Sequence, residues 1–266
     1  MRKILMKAAI AVLAIGLLAP ACKKQVKDSP ESEIPQSVID RVAELGFATG
    51  GIVKEGNGYI VEGDIYLSPE QLSQGVPTTK ELVIANEEHY RTTNIVTGTP
   101  RTITVSLSSG APSYFSTALN TAISRYNALG LTLTFSRVSS GGNINVVTFY
   151  QVSNTLGSSG FPSGGNPYPT IQMNTYWYSS STNTNYLASI IAHEMGHCIG
   201  FRHTDYMNRA YSCGGSAYNE GTAGVGAIWI NGTPTGASAN SWMLACSNGS
   251  DRPFTSADIT ALTTLY

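Results

Sequence analysis

Charge is scarce in this sequence. Only 12% of its 266 residues are Asp, Glu, Lys or Arg, 17 acidic against 16 basic, for a net charge of −1. Nothing basic is clustered, which removes the electrostatic case for a nucleic acid or an anionic membrane surface as partner. Long apolar runs are lacking too: the run from Ala8 to Ala19 is about a dozen residues, too short to span a bilayer. Histidine and cysteine are rare, four of each. What is plentiful is glycine (27), tyrosine (14) and Ser, Thr and Asn, a composition that suits an extracytoplasmic domain.

Three of the four histidines fall in one run, His193-Glu194-Met195-Gly196-His197-Cys198-Ile199-Gly200-Phe201-Arg202-His203, followed by Thr204-Asp205. On an α-helix His193 and His197 project from one face about one turn apart and can bind the same metal. Gly200 can adopt a left-handed conformation that ends the helix and lets His203 swing round as the third ligand. Three neutral imidazoles leave one zinc position open for water, the arrangement of catalytic rather than structural zinc sites. Glu194 lies roughly 100° further round the helix than His193. There it can take a proton from zinc-bound water, whose pKa the metal lowers to about 7, and hand it to a leaving amine. H-E-x-x-H alone is compatible with two histidines on a core or surface face; extended to H-E-x-x-H-x-x-G-x-x-H it is specific. A structural zinc site would have no use for Glu194.

Arg2, Lys3 and Lys7, the apolar run and Pro20-Ala21-Cys22 describe a secretory signal over residues 1–22. Cys22 after small residues resembles a bacterial lipobox, in which the cysteine is lipidated after cleavage, although Ala19 stands where leucine is usual; ordinary signal cleavage nearby is the alternative. The protein is thus expected outside the cytoplasm, either secreted or held at a bacterial cell surface or outer membrane, with Cys22 as its sole link to a membrane. Lys23 to Glu33 reads as a solvated tether, Pro35 to Leu45 as a short helix, Gly58 to Tyr66 as one strand, and His89 as an isolated surface histidine.

Thr102 to Ser108 alternates as a half-buried strand, and Phe115, Leu119, Ala122, Ile123, Tyr126 and Leu129 recur at helical spacing up to Gly130. Leu131 to Phe135 and Asn143 to Tyr150 are further strands, which together give a mixed sheet with a helix on one face. Leu156 to Ser163, small and polar, suits an edge strand with a free backbone, where an extended peptide can pair. Thr170 to Thr175 is the next strand inward. The zinc helix is capped by Asn183 or Asn185 and buries Leu187, Ile191, Met195 and Cys198, making Cys198 a buried free thiol. Cys213 and Cys246 remain as a pair able to form a disulfide. Glycine-rich, irregular chain follows Asp205 until Thr255 and Asp258 form a capping box for a last helix, with Phe254 against Ile259, and Ile259, Leu262 and Leu265 inward.

From about Arg101 to Tyr266 the chain resembles a metzincin, and His193–Asp205 with Asn240-Ser241-Trp242-Met243-Leu244-Ala245-Cys246 is similar to bacterial dual-action HEIGH metallopeptidases. The resemblance implies an α+β fold: a mixed twisted sheet with two main helices, an irregular lower subdomain and a C-terminal helix over 99–266. It also implies a zinc-dependent endopeptidase acting on an extended peptide or protein, and a methionine turn beneath the zinc. Met243 is the residue for that turn by its distance from His203; Met207 follows too closely. Ala245 stands where astacins and serralysins have a tyrosine, leaving Tyr206 or Tyr211, or zinc and Glu194 alone, for the oxyanion. No cysteine lies between Cys22 and Cys198 to serve as the latch that matrixin precursors use. Val61-Glu62-Gly63-Asp64 resembles the F-x-G-D motif of astacin propeptides, whose aspartate binds the zinc. Residues 23–98 are then a propeptide and Asp64 its zinc cap; a plain Gly-Asp turn is the other reading. The alternative function is a catalytically silent surface lipoprotein that binds protein with a metzincin-like fold.

Overall fold

A computed structural model describes residues 34–73, 89–221, 226–234 and 236–266. The signal, Cys22 and the tether lie outside the described residues.

The apolar positions set the layers. The N-terminal helix α1 (Gln36–Glu44), the strands β1 (Val53–Glu55), β2 (Gly58–Val61) and β3 (Ile65–Leu67) and the helix α2 (Pro69–Ser73) form a small unit, in which the three strands make an antiparallel meander. Val42, Leu45, Phe47, Val61, Ile65 and Leu67 pack together there, and Phe161, from far along the chain, completes the cluster. The expected single strand from Gly58 to Tyr66 is two strands. Glu62 (φ +55°) and Gly63 (φ +89°) are left-handed, so the chain reverses and Val61 pairs with Ile65. A left-handed non-glycine residue is uncommon enough to mark a constrained turn.

Next come β4 (Tyr90–Arg91), β5 (Arg101–Leu107), α3 (Ser113–Asn127), β6 (Leu133–Arg137), β7 (Ile144–Phe149), β8 (Gly157–Ser158) and β9 (Thr170–Asn174). Five of them make the main sheet in the order β6-β5-β7-β9-β8, parallel except for β8. A parallel neighbour needs a crossover, and α3 supplies it between β5 and β6. The helix α4 (Thr184–Ile199) packs beside α3, and both cover the sheet. Ile103, Val105, Phe115, Leu119, Tyr126, Leu133, Ile144, Ile171, Leu187, Ile191 and Met195 are the centre of that core, all nearly solvent-free. After the short helix α5 (Ala210–Cys213), the regular elements among the described residues are β10 (Ile228–Trp229), paired with β4, and α6 (Ser256–Leu265).

Three further expectations are corrected. His89 is no surface residue: it is buried, its Nε2 lies 2.6 Å from Asp258 Oδ1, and its ring stacks on Trp242. Regular pairing in the Leu156–Ser163 edge strand is confined to Gly157 and Ser158. In α6, Ile259 points out, and Asp258, Ala261 and Leu262 point in. The stripe is rotated because Asp258 turns inward to accept from Thr255 N, Ser241 Oγ and Trp242 N, while Phe254 packs on Tyr126 and Trp242.

Asp258 therefore joins the C-terminal helix to residue 89 and to the segment beneath α4. Asp258→Ala leaves those buried donors and His89 without an acceptor, and unfolding of the purified chain in urea should show a loss of about 3 kcal/mol or more; a loss under about 1 kcal/mol would contradict this role.

Candidate metal centre

The helix that carries the histidines is defined at both ends. Asn183 caps it, its side chain accepting from Asn185 N at 2.9 Å and Tyr186 N at 3.4 Å. Gly200 ends it at φ +112°, and a Cβ there would lie 3.0 Å from Asn94 O and 3.2 Å from Ile95 Cγ2. The chain then reverses so that Phe201 O reaches back to His197 Nδ1 at 2.9 Å. Gly196 is required for another reason: a Cβ would meet Met243 Sδ at 2.6 Å and Trp242 Nε1 at 3.2 Å. Met243, fully buried, thus lies directly under the helix between the two histidines.

The three rings face one another. His193 Nδ1 is 2.8 Å from Trp242 O, His197 Nδ1 2.9 Å from Phe201 O, and His203 Nδ1 2.9 Å from Glu220 Oε1. Carbonyl and carboxylate oxygens accept, so each Nδ1 carries a hydrogen and each Nε2 faces inward, the nitrogen on which a neutral ring so bonded has its lone pair. Those nitrogens are 3.1 Å apart for His193 and His197 and 3.2 Å apart for His197 and His203. The Asp64 Oδ2 atom stands 3.0 Å from His203 Nε2, 3.3 Å from His193 Nε2 and 4.0 Å from His197 Nε2. Four acceptors this close repel unless a cation sits among them. A tetrahedron of zinc ligands at about 2.0–2.2 Å has edges of about 3.3–3.6 Å, close to these separations. Asp64 Oδ1 is buried with no hydrogen-bond partner. The residues present fit one zinc ion.

The electrostatics agree. Burial disfavours a charged His203, yet the carboxylates of Asp64 and Glu220 drive its pKa well above the ordinary value; positive charge is wanted there, as a proton or as a metal. His197 is held well below by burial and by its two histidine neighbours, which keeps its lone pair free. Burial, then the Asp64 carboxylate, pushes Glu194 well up. Glu194 Oε2 accepts from Ser159 Oγ at 2.7 Å, and that hydroxyl is also 3.0 Å from Glu194 O.

The small N-terminal unit fills the front of this centre. Ser159 N donates to Asp64 O at 2.9 Å and Tyr66 N to Ser159 O at 2.7 Å, so Asp64 to Tyr66 extend the sheet edge in parallel. Arg202, 1% exposed, places one guanidinium nitrogen 3.3 Å from Glu62 Oε2 and 3.6 Å from Glu220 Oε2. Arg209 bonds Glu62 O and sits 3.1 Å from Glu220 Oε1. Glu62 and Glu220 thus share Arg202, with Arg209 as a second cation beside Glu220. Sequence reasoning missed Glu220, Arg202, Ser159 and Arg209: Glu220 and Arg209 lie in chain with no periodic or motif signal, Arg202 stands at an unspecified position inside the histidine motif and Ser159 within the expected edge strand, and only the fold brings them here.

Of the remaining predicted residues, Cys213 and Cys246 are joined as a disulfide and Cys198 is a buried free thiol. Tyr206 is buried against Tyr90, and Tyr211 is 47% exposed. Neither lines the cavity of about 660 Å³ that opens beside His193 and Glu194; Leu156, Trp177, Tyr186, Ile190, Leu244 and Arg252 do.

The dual-action HEIGH metallo-peptidase family matches residues 59–266, and the chain belongs to it. That membership makes it a metallo-peptidase, and its fold is α+β. Where the family name spells isoleucine, this chain has the fully buried Met195, a swap of similar volume, and it keeps the Gly196 that Met243 requires. Among solved structures it is similar to myroilysin, at 17% identity and TM-score 0.43 over 65% of this chain and 82% of that one. A second myroilysin structure gives 19% and 0.43 over 76% and 98%. High choriolytic enzyme 1, a hatching enzyme zinc-protease from the medaka fish Oryzias latipes, gives 16% and 0.37 over 62% and 88%. No curated protein matches.

Gly200 and Gly130 both have positive φ, but only Gly200 is crowded, nothing lying within 4 Å of a Cβ at Gly130. Gly200→Ala should cost about 1–3 kcal/mol more than Gly130→Ala in denaturant unfolding; equal costs would show that the close packing at the helix end is immaterial.

Proposed function

We propose that this family member is an exported endopeptidase made as an inactive precursor, with His193, His197 and His203 holding one catalytic zinc and Asp64 occupying its fourth position until the N-terminal unit is removed. The observation that carries this reading is the convergence of three inward Nε2 lone pairs on the Asp64 carboxylate. When bound, zinc supplies Lewis-acid polarisation of the scissile carbonyl and brings the pKa of water down to about 7.

The chain's own residues do the rest. Glu194, oriented by Ser159, takes a proton from the attacking water and passes it to the leaving amine nitrogen, a role that suits a carboxyl held up by burial. Glu220 fixes the His203 ring as its hydrogen-bond acceptor, and the carbonyls of Trp242 and Phe201 do the same for the other two. Met243 packs against the helix between the ligands and prevents it from shifting. A substrate lies along Gly157–Ser159, held by the main-chain groups that Asp64 and Tyr66 now engage; because pairing is through backbone, this part of recognition is tolerant of sequence. The Cys213–Cys246 disulfide ties α5, which follows Arg209, to the segment after Met243. Its formation fits an oxidising compartment, in line with the signal-like N-terminus. No described helix is long and apolar enough to cross a membrane, and lipidation of Cys22 remains the proposed anchor. The silent-binder alternative is disfavoured by the family and by the presence of Glu194 at the centre.

Two outcomes are expected. The unprocessed Asp64→Ala chain should hydrolyse casein at least about 10-fold faster than the unprocessed natural sequence, a chelator should abolish that activity, and Glu194→Ala should reduce it by about 10³-fold or more; equal rates for Asp64→Ala and the natural precursor would remove the zymogen reading. Metal analysis of the Glu194→Ala chain should still find one zinc per molecule, and His197→Ala should lose it; full zinc in His197→Ala would refute the ligand assignment.

A further inference from the structure

The cavity beside the reactive centre runs along one face of α4, where Tyr186, Ile190 and His193 follow at helical spacing, and its far wall comes from Leu244 to Ser247, Ser250 and Arg252. Its position relative to a bound peptide follows from the edge strand. Ile65 pairs with Ser159 in parallel, and the preceding Gly63 lines the cavity together with Leu156 and Gly157. The cavity therefore lies toward the N-terminal end of the edge strand. A substrate paired in the antiparallel sense, the slightly stronger ladder, places there the residue on the C-terminal side of the bond to be cut.

We propose that Arg252 makes this cavity selective for an acidic side chain, Asp or Glu, on the substrate residue that follows the scissile bond. The inference rests on the peptidase reading above and adds the residue that sets its preference.

Arg252 is the cavity's cation without a direct ion pair, although it feels the charge of Asp205 beyond ion-pair distance. Arg209, the other arginine in the lining, is held by Glu220 and Glu62 O. Among the described residues no carboxylate lies within ion-pair distance of Arg252. One of its terminal nitrogens donates to Cys246 O at 2.9 Å, and its Nε, shielded from solvent, has no acceptor. The nearby acids are spoken for. Asp251 faces Arg125 at 2.9 Å and Ser189 Oγ at 2.6 Å. Asp205 accepts from Ala245 N at 2.9 Å and Ser212 Oγ at 2.6 Å. Around Arg252 the walls are largely apolar, with Tyr186, Ile190 and Leu244; Glu194 and Asp64 line the end at the three histidines, and Gly51 and Val53 of the N-terminal unit close one side. A guanidinium in such surroundings lacks the acceptors it would have in water, and a carboxylate of the right reach satisfies it through charge-assisted, bidentate hydrogen bonds that low local polarity strengthens. A neutral amide of the same shape returns only part of this, because it brings one acceptor and two donors to a site that needs acceptors.

The test uses the full chain, loaded with zinc and activated by limited proteolysis. A proteome-derived peptide mixture is digested, and mass spectrometry reads the residue after each cut. Matched fluorogenic peptides with Asp, Asn or Leu at that position then give kcat/KM. The expected ratio of Asp to Asn is about 10-fold or more, falling to near one in Arg252→Gln and partly retained in Arg252→Lys. Each ratio is internal to one preparation, so loss of folded enzyme cancels. A ratio near one for the natural sequence overturns the proposal whatever the variants do, as does a ratio unchanged in Arg252→Gln. Failure of the zinc-loaded, processed chain to cut any peptide overturns the peptidase reading and this inference with it, whereas cutting without acidic preference overturns this inference alone.

Discussion

His193 and His197 each commit an Nδ1 hydrogen to a main-chain carbonyl, and that commitment leaves two lone pairs 3.1 Å apart in the protein interior. Like partial charges at that distance are tolerable only around a cation, so a demand for positive charge is built into the backbone. The flanking structure serves this demand. Gly200 turns the chain to bring in a third nitrogen, Gly196 lets Met243 approach from below, and Glu220 supplies the acceptor that fixes His203. Each is intelligible as a way to hold rings that would otherwise move apart.

The same demand explains how a small N-terminal unit can be held in front of a larger one. Its contact with the centre is made by a tight left-handed turn that aims the Asp64 carboxylate at the three nitrogens, while Glu62 in that turn meets the buried Arg202 and Arg209. Phe161 fills the core of the small unit, so the two parts share apolar surface as well as charge. Asp64 to Tyr66 take the backbone positions of the sheet edge, in the sense opposite to the one inferred for a substrate. On the proposed reading one segment blocks both the metal and the binding strand, and a reversed chain presents a carboxylate where a productive peptide presents its scissile carbonyl.

Much of this was legible in the sequence because it was local. The helix with His193 and His197, its Asn183 cap, the Gly200 stop and the alternating strands from Arg101 onward depend on neighbours in the chain, and periodicity reports neighbours. What stayed hidden was long-range. His89 reads as isolated because its partner, Asp258, is 169 residues away, and helical spacing turns Ile259 inward because nothing local shows that Asp258 is drawn into the core. Glu220 and Arg252 sit in irregular, glycine-rich chain where no pattern marks a side chain that matters. The Gly-Asp turn was ambiguous on its own; only the distances from Asp64 to the histidines give it chemical meaning.

X-ray absorption at the zinc edge, recorded on the intact precursor, probes the central claim most directly. The account predicts one zinc per chain with three imidazole nitrogens and one carboxylate oxygen at about 2.0–2.2 Å and no sulfur, the oxygen changing identity in Asp64→Ala without loss of the nitrogens. A sulfur ligand, fewer than three imidazoles, or a precursor that excludes zinc altogether would contradict it.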